Sequence, residues 1–255
     1  TSDMLFVERS DGTYEPWMYD FKKDKNGVPT GKRIVDGTIA YAFIKSIHYT
    51  EQTINSKTKE VIQGNLSILQ WYFGIKIVNS SICYTKKRWD MEVSRQFGKT
   101  HLSARIAGFL PVFAPLFADL PNDRWWQIIA SYNDDSVKEI FDLKVKPVII
   151  KNIEFFNKLY PNDPLVYGKH GTENFVNNTN KMEVRRMLHG KAEPHSYVVA
   201  LSTNTIKDGK SSDWMWCDEA WRTNTKEFRR GILPFLGSTN GDFLVSGIST
   251  ADTEN

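Results

Sequence analysis

The stretch of sequence that decides the fold reads Ser94-Arg95-Gln96-Phe97-Gly98-Lys99-Thr100. An alternating apolar run at 88–93 precedes it, and a run that permits a helix follows at 102–109. In a phosphate-binding loop, main-chain N–H groups and a helix N-terminus face the phosphates, a Lys reaches the β/γ oxygens and the next hydroxyl binds Mg²⁺. Gly98, Lys99 and Thr100 match the second half of that pattern. The sequence therefore predicts a strand, a phosphate-binding loop and a helix in this order.

Length and composition are those of an ordinary globular protein. The chain has 255 residues, of which 40% are apolar and 25% charged. That length accommodates one large α/β domain or two small ones, and the composition excludes a wholly disordered chain. The formal net charge of +3 tolerates a polyanionic partner but is too small to indicate a dedicated nucleic-acid-binding composition.

The cysteines and the N-terminus indicate a reducing, cytosolic setting. Cys83 and Cys217 lie in different apolar stretches with no C-x-x-C spacing, so neither a disulfide framework nor a zinc site is predicted. Residues 1–9 lack the basic-then-apolar layout of a signal peptide, and the sequence contains no run of about 18 apolar residues.

Strand and helix patterns alternate along most of the chain, which predicts a mainly parallel sheet flanked by helices. Residues 1–36 indicate an extended arm or a small irregular subdomain, and 37–48 fit a helix or a strand. Strands are predicted at 88–93, 125–130, 182–188, 197–201, 214–217 and 243–248, and helices at 66–77, from 98, from about 136 and at 225–236, with a turn at 79–81 and a less regular region at 151–195. Pro111 and Pro115 are expected to end or kink the helix that begins at Gly98.

An acidic pair, Asp218-Glu219, follows the apolar stretch 214–217. Ligands bind at the carboxyl ends of the strands in open parallel sheets, so this pair is expected at the same edge as the phosphate loop. An ATPase needs one acidic residue for Mg²⁺ and one group that positions or activates water. The alternative is that the pair begins a solvated helix.

Gln70 is a second polar candidate, in the apolar and aromatic stretch before the phosphate loop. Many helicase-like ATPases place a Gln upstream of that loop to contact the adenine edge. The alternative is a solvent-facing Gln on an amphipathic helix.

Together these motifs resemble the ATPase domain of the large terminase subunits of tailed bacteriophages. In that family the first Gly of the Walker A pattern is commonly replaced, as by Val93 here, and Arg-Gln precedes one variable residue and Gly-Lys-Thr. The sequence at 216–220, Trp-Cys-Asp-Glu-Ala, resembles Walker B with its catalytic Glu, and Ser249-Thr250 resembles the coupling motif. The resemblance spans Gln70 to Thr250 and implies an ASCE-type P-loop NTPase core at 61–255, with 1–60 as an arm or subdomain packed on it.

The resemblance also implies a role for each matching residue. Lys99 would bind the β/γ phosphates, Arg95 would sense the γ-phosphate, and Gln70 would contact adenine. Mg²⁺ would be held by Thr100 and, through water, by Asp218, while Glu219 would activate the attacking water. The residues Ser94, Arg95, Gln96, Phe97, Gly98, Lys99 and Thr100 would together bind ATP, and Ser249 and Thr250 would report hydrolysis to the moving part of the protein. For Arg95 the alternative is a surface Arg in a salt bridge.

The implied function is a motor that packages double-stranded viral DNA into a procapsid in the host cytoplasm. Its implied partners are DNA, the portal protein at the portal vertex, the small terminase subunit and further copies of the chain in a ring, with no membrane. Full large terminases also have a nuclease domain after the ATPase domain, so no nuclease activity is expected from residues 1–255.

One stretch departs from the family pattern. Where many members have Arg-Gly before Walker B, this sequence has Lys207-Asp208-Gly209-Lys210. A Lys lacks the planar fork of an arginine finger. The sequence does not rank the other arginines that a neighbouring subunit would present, which are Arg185, Arg186, Arg222, Arg229 and Arg230.

Two other functions also stay open, a helicase-like ATPase acting on nucleic acid and a nucleotide-binding assembly protein without hydrolysis.

Overall fold

The computed structural model of the chain describes residues 6–8, 14–16, 36–55, 57–59, 61–83, 88–93, 97–118, 120, 124–168, 180–202, 212–218 and 244–250. The described helices are α1 (Asp36–Thr50), α2 (Ile68–Cys83), α3 (Lys99–Phe117), α4 (Asp134–Glu139) and α5 (Lys146–Leu159), and a π-helical turn, Ile140–Val145, joins α4 to α5. The described strands are β1 (Phe6–Glu8), β2 (Tyr14–Pro16), β3 (Gln52–Ile54), β4 (Val61–Gln63), β5 (Arg88–Val93), β6 (Trp125–Ser131), β7 (Leu165–Tyr167), β8 (Lys181–Leu188), β9 (Lys191–Ser202), β10 (Trp214–Asp218) and β11 (Leu244–Thr250). The helix expected at 225–236 lies outside the described residues.

The main sheet has seven described strands in the order β5-β11-β10-β6-β9-β8-β7. The pairs from β5 to β9 are parallel, whereas β8 pairs antiparallel with both β9 and β7. The prediction of a mainly parallel sheet is confirmed. One strand, β11, is interposed between the strand before the phosphate loop and the strand before the acidic pair.

The antiparallel side of the sheet begins at a tight hairpin. His189 and Gly190 both have positive φ, 50° and 79°, as a two-residue hairpin turn of this kind requires. β9 is longer than the predicted 197–201 because its first half, from Lys191, pairs with β8. The register shifts at Val184/Arg185, and Pro194 pairs with Arg185 beside that irregularity, where a residue without an N–H is tolerated in a strand.

The core lies between the sheet and helices α1, α2, α3 and α5. Its largest fully buried side chains are Trp125, Trp214, Trp216, Phe43, Phe109, Phe141 and Phe156. α1 therefore belongs to the core, where Phe43 lies edge-on to Phe109 with ring centroids 5.2 Å apart. A Cβ at Gly108 would overlap the Val148 side chain, so this glycine lets α3 and α5 approach closely. The domain division at residue 60 stays a prediction.

α2 extends past the predicted turn at 79–81, so that prediction is wrong. Ser80 and Ser81 are both buried inside the helix, which ends at Cys83. The Ser81 hydroxyl donates to the Ile77 carbonyl at 2.6 Å, so its polar group is satisfied within the helix.

No helix in the described part of the chain has both the length and the apolar character needed to cross a bilayer.

α3 also continues through both of its prolines, to Phe117. Pro111 has no N–H for the Ala107 carbonyl, and the buried Gln127 side chain in β6 donates to that carbonyl at 2.8 Å. One residue further on, Asn152 of α5 donates to the Gly108 carbonyl at 3.0 Å. At the Ala107 carbonyl, a side chain from a neighbouring strand thus supplies the donor that Pro111 removes.

His195 of β9 makes a third bond of this kind. Its Nε2 lies 2.8 Å from the Val112 carbonyl, and only 4% of the residue is exposed. Burial lowers the pKa of His195 to about 4 from its ordinary 6.5, and although the bond to Val112 opposes this shift, the charge of Arg186 adds to it. The imidazole is therefore neutral at neutral pH and donates through Nε2–H.

This lowered pKa makes the free energy of unfolding depend on pH. As the pH falls from 6.5 towards 4, the unfolded chain binds a proton at His195 that the folded chain does not, so stability is lost in that window. In His195→Gln the neutral amide keeps an N–H donor. We expect its loss of unfolding free energy between about pH 6.5 and about pH 4.5 to be smaller than in wild type by roughly 2 to 3 kcal/mol, as measured by urea denaturation.

His189→Asn is the control, because it removes an exposed histidine from a positive-φ turn position that Asn tolerates. Its pH profile should follow wild type. Burial raises the pKa of Asp213 to about 6, so this residue increases the free energy of unfolding as the pH falls. Asp213 is present in all three proteins, so its effect cancels in the comparison. Equal slopes for wild type and His195→Gln would contradict the assignment.

Candidate nucleotide-binding site

Three parallel strands end side by side at one edge of the sheet. Val93, the last residue of β5, is in register with Thr250, the last residue of β11. Asp218, the last residue of β10, is in register with Ile248. The carboxyl ends of β5, β11 and β10 therefore meet at the same edge, as the sequence predicted for the phosphate loop and the acidic pair.

The phosphate loop turns into α3 at Gly98. This residue has φ 74° and ψ 34°, in the left-handed region, and it supplies no side-chain cap to the helix. The first turn is closed by the Leu102 N–H, which donates to the Gly98 carbonyl at 3.0 Å. The N–H groups of the first helical turn have no partner within a helix, so they and the helix dipole suit a bound anion. Lys99 begins the helix and is 8% exposed, whereas Ser94, Arg95 and Gln96 lie outside the described residues.

Gln70 caps helix α2 and also contacts the phosphate loop. Its Oε1 accepts from the Ser67 N–H at 2.8 Å, and its own N–H donates to the Ser67 hydroxyl at 3.3 Å. These reciprocal bonds form a capping box, whose S-x-x-Q signature is legible in the sequence. Its Nε2 donates to the Phe97 carbonyl at 2.7 Å. Gln70 is therefore half-buried and attached to the loop, not solvent-facing.

Asp218 lies at the carboxyl end of the buried strand β10. Asp218 ends a strand that is buried along its whole length, and it is itself 7% exposed. The structure thus places Asp218 at a strand end and not at a solvated helix start. Its carboxylate and the hydroxyl of the half-buried Thr100 are hard oxygen donors, which fits Mg²⁺. Within the described ranges, His, Cys, Asp and Glu form no group of three that would hold a metal. Glu219 lies outside these ranges, and Ser249 and Thr250 are described as strand residues only.

Sequence reasoning missed three ionisable residues beside the start of α3. Glu51, in the turn after α1, forms an ion pair with Arg105, and its Oε1 lies 3.3 Å from the His101 Nε2. Burial by itself would raise the pKa of Glu51, but the contacts with His101 and Arg105 outweigh it and hold that pKa below its ordinary value. No sequence signal links residues so far apart in the chain.

A cleft of about 470 Å³ opens beside this group and next to Thr100. It is lined by Thr100, His101, Ala104, Arg105, Leu143, Lys144, Pro147, Val148 and Lys151. The π-helical turn supplies Leu143 and Lys144, and π-helical turns often occur near functional sites.

Two arginines that the sequence left as finger candidates have partners within the chain. The Arg185 Nε lies 2.9 Å from a Glu183 carboxylate oxygen, and an Arg186 nitrogen lies 3.4 Å from an Asp163 carboxylate oxygen. Arg222, Arg229 and Arg230 lie outside the described residues.

The strand order and this edge of the sheet are those of a P-loop α/β fold. No protein-family model and no curated protein sequence matches the chain. Among solved structures, the chain is similar to a point variant of the large terminase ATPase domain of Thermus phage P74-26, with a TM-score of 0.51, 19% identity and coverage of 71% of this chain and 65% of that one. The bacteriophage HK97 large terminase matches with a TM-score of 0.48 and 14% identity over 81% of this chain and 37% of that one.

A large terminase from a thermophilic bacteriophage, in complex with ATP-γ-S, matches with a TM-score of 0.39 and 11% identity over 66% of this chain and 33% of that one. The chain thus spans less than two thirds of the length of these structures. At 19% identity, the likeness to the P74-26 domain establishes the fold. It confirms, at the level of the fold, the resemblance to terminase ATPase domains that the sequence motifs indicated.

Gly98→Ala tests the geometry of the loop. Gly98 has a left-handed backbone conformation, which disfavours any side chain. A Cβ added there would also lie 2.8 Å from the Gln70 Nε2. The matched control is Gly190→Ala, since Gly190 has φ 79° and nothing within 4 Å of an added Cβ. We expect Gly190→Ala to lower the free energy of unfolding by about 1 kcal/mol and Gly98→Ala to lower it by roughly 2 kcal/mol or more, as measured by chemical denaturation. Equal losses would show that the Gln70 contact does not constrain this position.

Proposed function

We propose that this chain is an ATP-hydrolysing motor domain that drives double-stranded DNA into a viral procapsid. The observation that carries the proposal is the common edge of β5, β11 and β10, where the loop containing Lys99, the end of the coupling strand at Thr250 and the buried Asp218 come together. That arrangement suits phosphoryl transfer, in which catalysis is mostly positioning and charge stabilisation.

In this proposal the phosphate loop and its helix bind the triphosphate. Main-chain N–H groups at the start of α3 face the β- and γ-phosphates, and the ammonium of Lys99 reaches the same oxygens. The remaining loop residues, Ser94, Arg95, Gln96 and Phe97, complete the cradle with Gly98, and Arg95 senses the γ-phosphate. The low exposure of Lys99 supports this role, because burial strengthens its attraction to phosphate oxygens.

Asp218 and Thr100 would hold Mg²⁺, Asp218 through a bound water. When bound, Mg²⁺ neutralises negative charge on the β- and γ-phosphates. Glu219, next to Asp218 in the sequence, would accept a proton from the attacking water and orient it. Neighbouring residues on an extended strand point to opposite sides, so a departure from strand geometry after Asp218 would bring both carboxylates to one site.

Coupling would run through β11. This strand pairs with β5 on one side and β10 on the other, so Ser249 and Thr250 end between the phosphate loop and Asp218. A change in the positions of the phosphates and the metal would therefore reach Ser249-Thr250 over a short distance. Ser249-Thr250 would pass it on to the moving part of the protein.

The proposed partners come from the fold likeness and the motifs together. They are double-stranded DNA, a portal protein, a small terminase subunit and further copies of the chain in a ring. In that setting the chain acts at the portal vertex in the host cytoplasm. A ring neighbour would also be the source of an arginine finger.

Lys99→Ala tests nucleotide binding. Removing the ammonium deletes a charge-assisted contact to the phosphates, so we expect affinity for ATP and ADP to fall on the order of 10- to 100-fold in isothermal titration calorimetry. The control, Lys191→Ala, removes an exposed lysine from the β8–β9 hairpin and should bind as wild type does. Unchanged binding by Lys99→Ala would refute the phosphate-loop assignment.

Glu219→Ala tests hydrolysis separately. If Glu219 activates the attacking water, its removal should lower kcat by about 10² to 10⁴ while nucleotide affinity stays near that of wild type. Phosphate release would be measured at high protein concentration, because the proposed ring completes the site. If wild type binds nucleotide and releases no phosphate even with DNA present, the assembly-protein alternative is favoured. Stimulation by single-stranded but not double-stranded DNA would favour the helicase-like alternative.

A further inference from the structure

Two contacts from helix α2 hold Phe97, the residue of the phosphate loop that precedes Gly98. The Phe97 carbonyl accepts from the Gln70 Nε2 at 2.7 Å, and the Phe97 ring lies edge-on to Phe73 with centroids 6.2 Å apart. Gln70 and Phe73 are three residues apart, so they project from the same face of α2. The peptide that enters Gly98 is therefore fixed in both position and rotation.

Apolar and polar contacts together position the first turn of α2. Ile68 is 86% exposed and Leu69 59% exposed, whereas Trp71 lies edge-on to Phe43 with ring centroids 6.2 Å apart. The polar contacts are the capping box with Ser67 and the bond from Gln70 to the loop. Gln70 thus links the start of one helix to the start of the next.

We infer that Gln70 is a positioning residue for phosphoryl transfer, which acts by holding the Phe97 peptide and, through it, the phosphate-binding N–H groups of α3. This inference rests on the proposed function. It differs from the role that the family resemblance implies, because both polar ends of the Gln70 amide are already bonded. The amide keeps a second N–H and a second lone pair, so experiment has to separate the two roles.

The two roles have different consequences for nucleotide choice. The triphosphate is the same in ATP and GTP, so a residue that acts through the loop changes kcat for both alike. A residue that reads the adenine edge changes the ratio of their kcat/KM values, since adenine and guanine present different donors and acceptors. Base selectivity therefore separates the two roles.

Gln70→Glu is the informative variant. A carboxylate still accepts from the Ser67 N–H, which preserves the capping box, but it has no donor for the Phe97 carbonyl. Gln70→Met, which is neutral and of similar length, controls for the added charge. Ser67→Ala is the matched control for capping, because it removes the hydroxyl acceptor and leaves the Gln70 bond to the loop.

The first measurement uses no nucleotide and so does not depend on the proposed function. The Leu102 amide is bonded to the Gly98 carbonyl, and its hydrogen exchange reports how often the start of α3 opens. We expect exchange at Leu102 to be roughly tenfold faster in Gln70→Glu and Gln70→Met, and close to wild type in Ser67→Ala. Equal exchange in wild type and the Gln70 variants would overturn the inference.

The second measurement compares steady-state hydrolysis of ATP and GTP. We expect kcat to fall about 10-fold or more for both nucleotides in both Gln70 variants, because a small misplacement of the reacting groups is costly. Their ratio of kcat/KM values should stay within about twofold of wild type. A changed ratio at an unchanged kcat would assign Gln70 to adenine instead. If wild type neither binds nor hydrolyses nucleotide, the proposed function fails, and the exchange result still decides whether Gln70 holds the loop.

Discussion

The parallel alignment of β5, β11 and β10 is the constraint on which the site depends. Parallel strands bring their carboxyl ends to one edge, so the sheet itself brings together residues that are far apart in the chain. The register sets how far each strand reaches. Thr250 ends level with Val93, and Asp218 lies level with Ile248, two residues short of that end. A slip of one residue would reverse the side on which Asp218 points, which is why the fully buried β10 matters beyond its contribution to stability.

Polar side chains in the core bond to α3, a helix that contains two prolines. Gln127, Asn152 and His195 come from three different elements, and all three bond to carbonyls of α3. Pro111 removes the helical donor of the Ala107 carbonyl, and leaving that buried carbonyl without the Gln127 bond would destabilise the helix by roughly 1 to 3 kcal/mol. The polar core residues therefore have a structural function, and one of them, His195, makes that structure sensitive to acid. Local rules alone misplace the end of this helix, because they take no account of a donor from a distant strand.

The elements with strong periodicity could be predicted from sequence, and those that depend on distant partners could not. β5 was predicted with its observed bounds and β10 to within one residue, since an alternating or continuous apolar run precedes a polar turn in each. The first half of β9 was missed because it exists through its pairing with β8. In the candidate site, Lys99, Thr100 and Asp218 are predictions from motifs. The group of Glu51, His101 and Arg105 was not, because contacts between residues so far apart in the chain leave no spacing signal. The S-x-x-Q pattern at 67–70 indicates a capping box, but nothing in the sequence links its Gln70 to the Phe97 carbonyl.

Two anchors reach the start of α3 from the part of the chain that precedes the phosphate-loop strand. Glu51 holds His101 and Arg105 from one direction, and Gln70 holds Phe97 from another. They lie on opposite sides of the predicted division at residue 60, yet one contacts the first two turns of α3 and the other contacts the residue before Gly98. Gly98 has a left-handed conformation and supplies no side-chain cap to α3. A helix start that presents N–H groups to phosphates leaves those groups without partners in the helix. Contacts from neighbouring segments can hold such a helix start in place, and in this chain residues 51 and 70 make them.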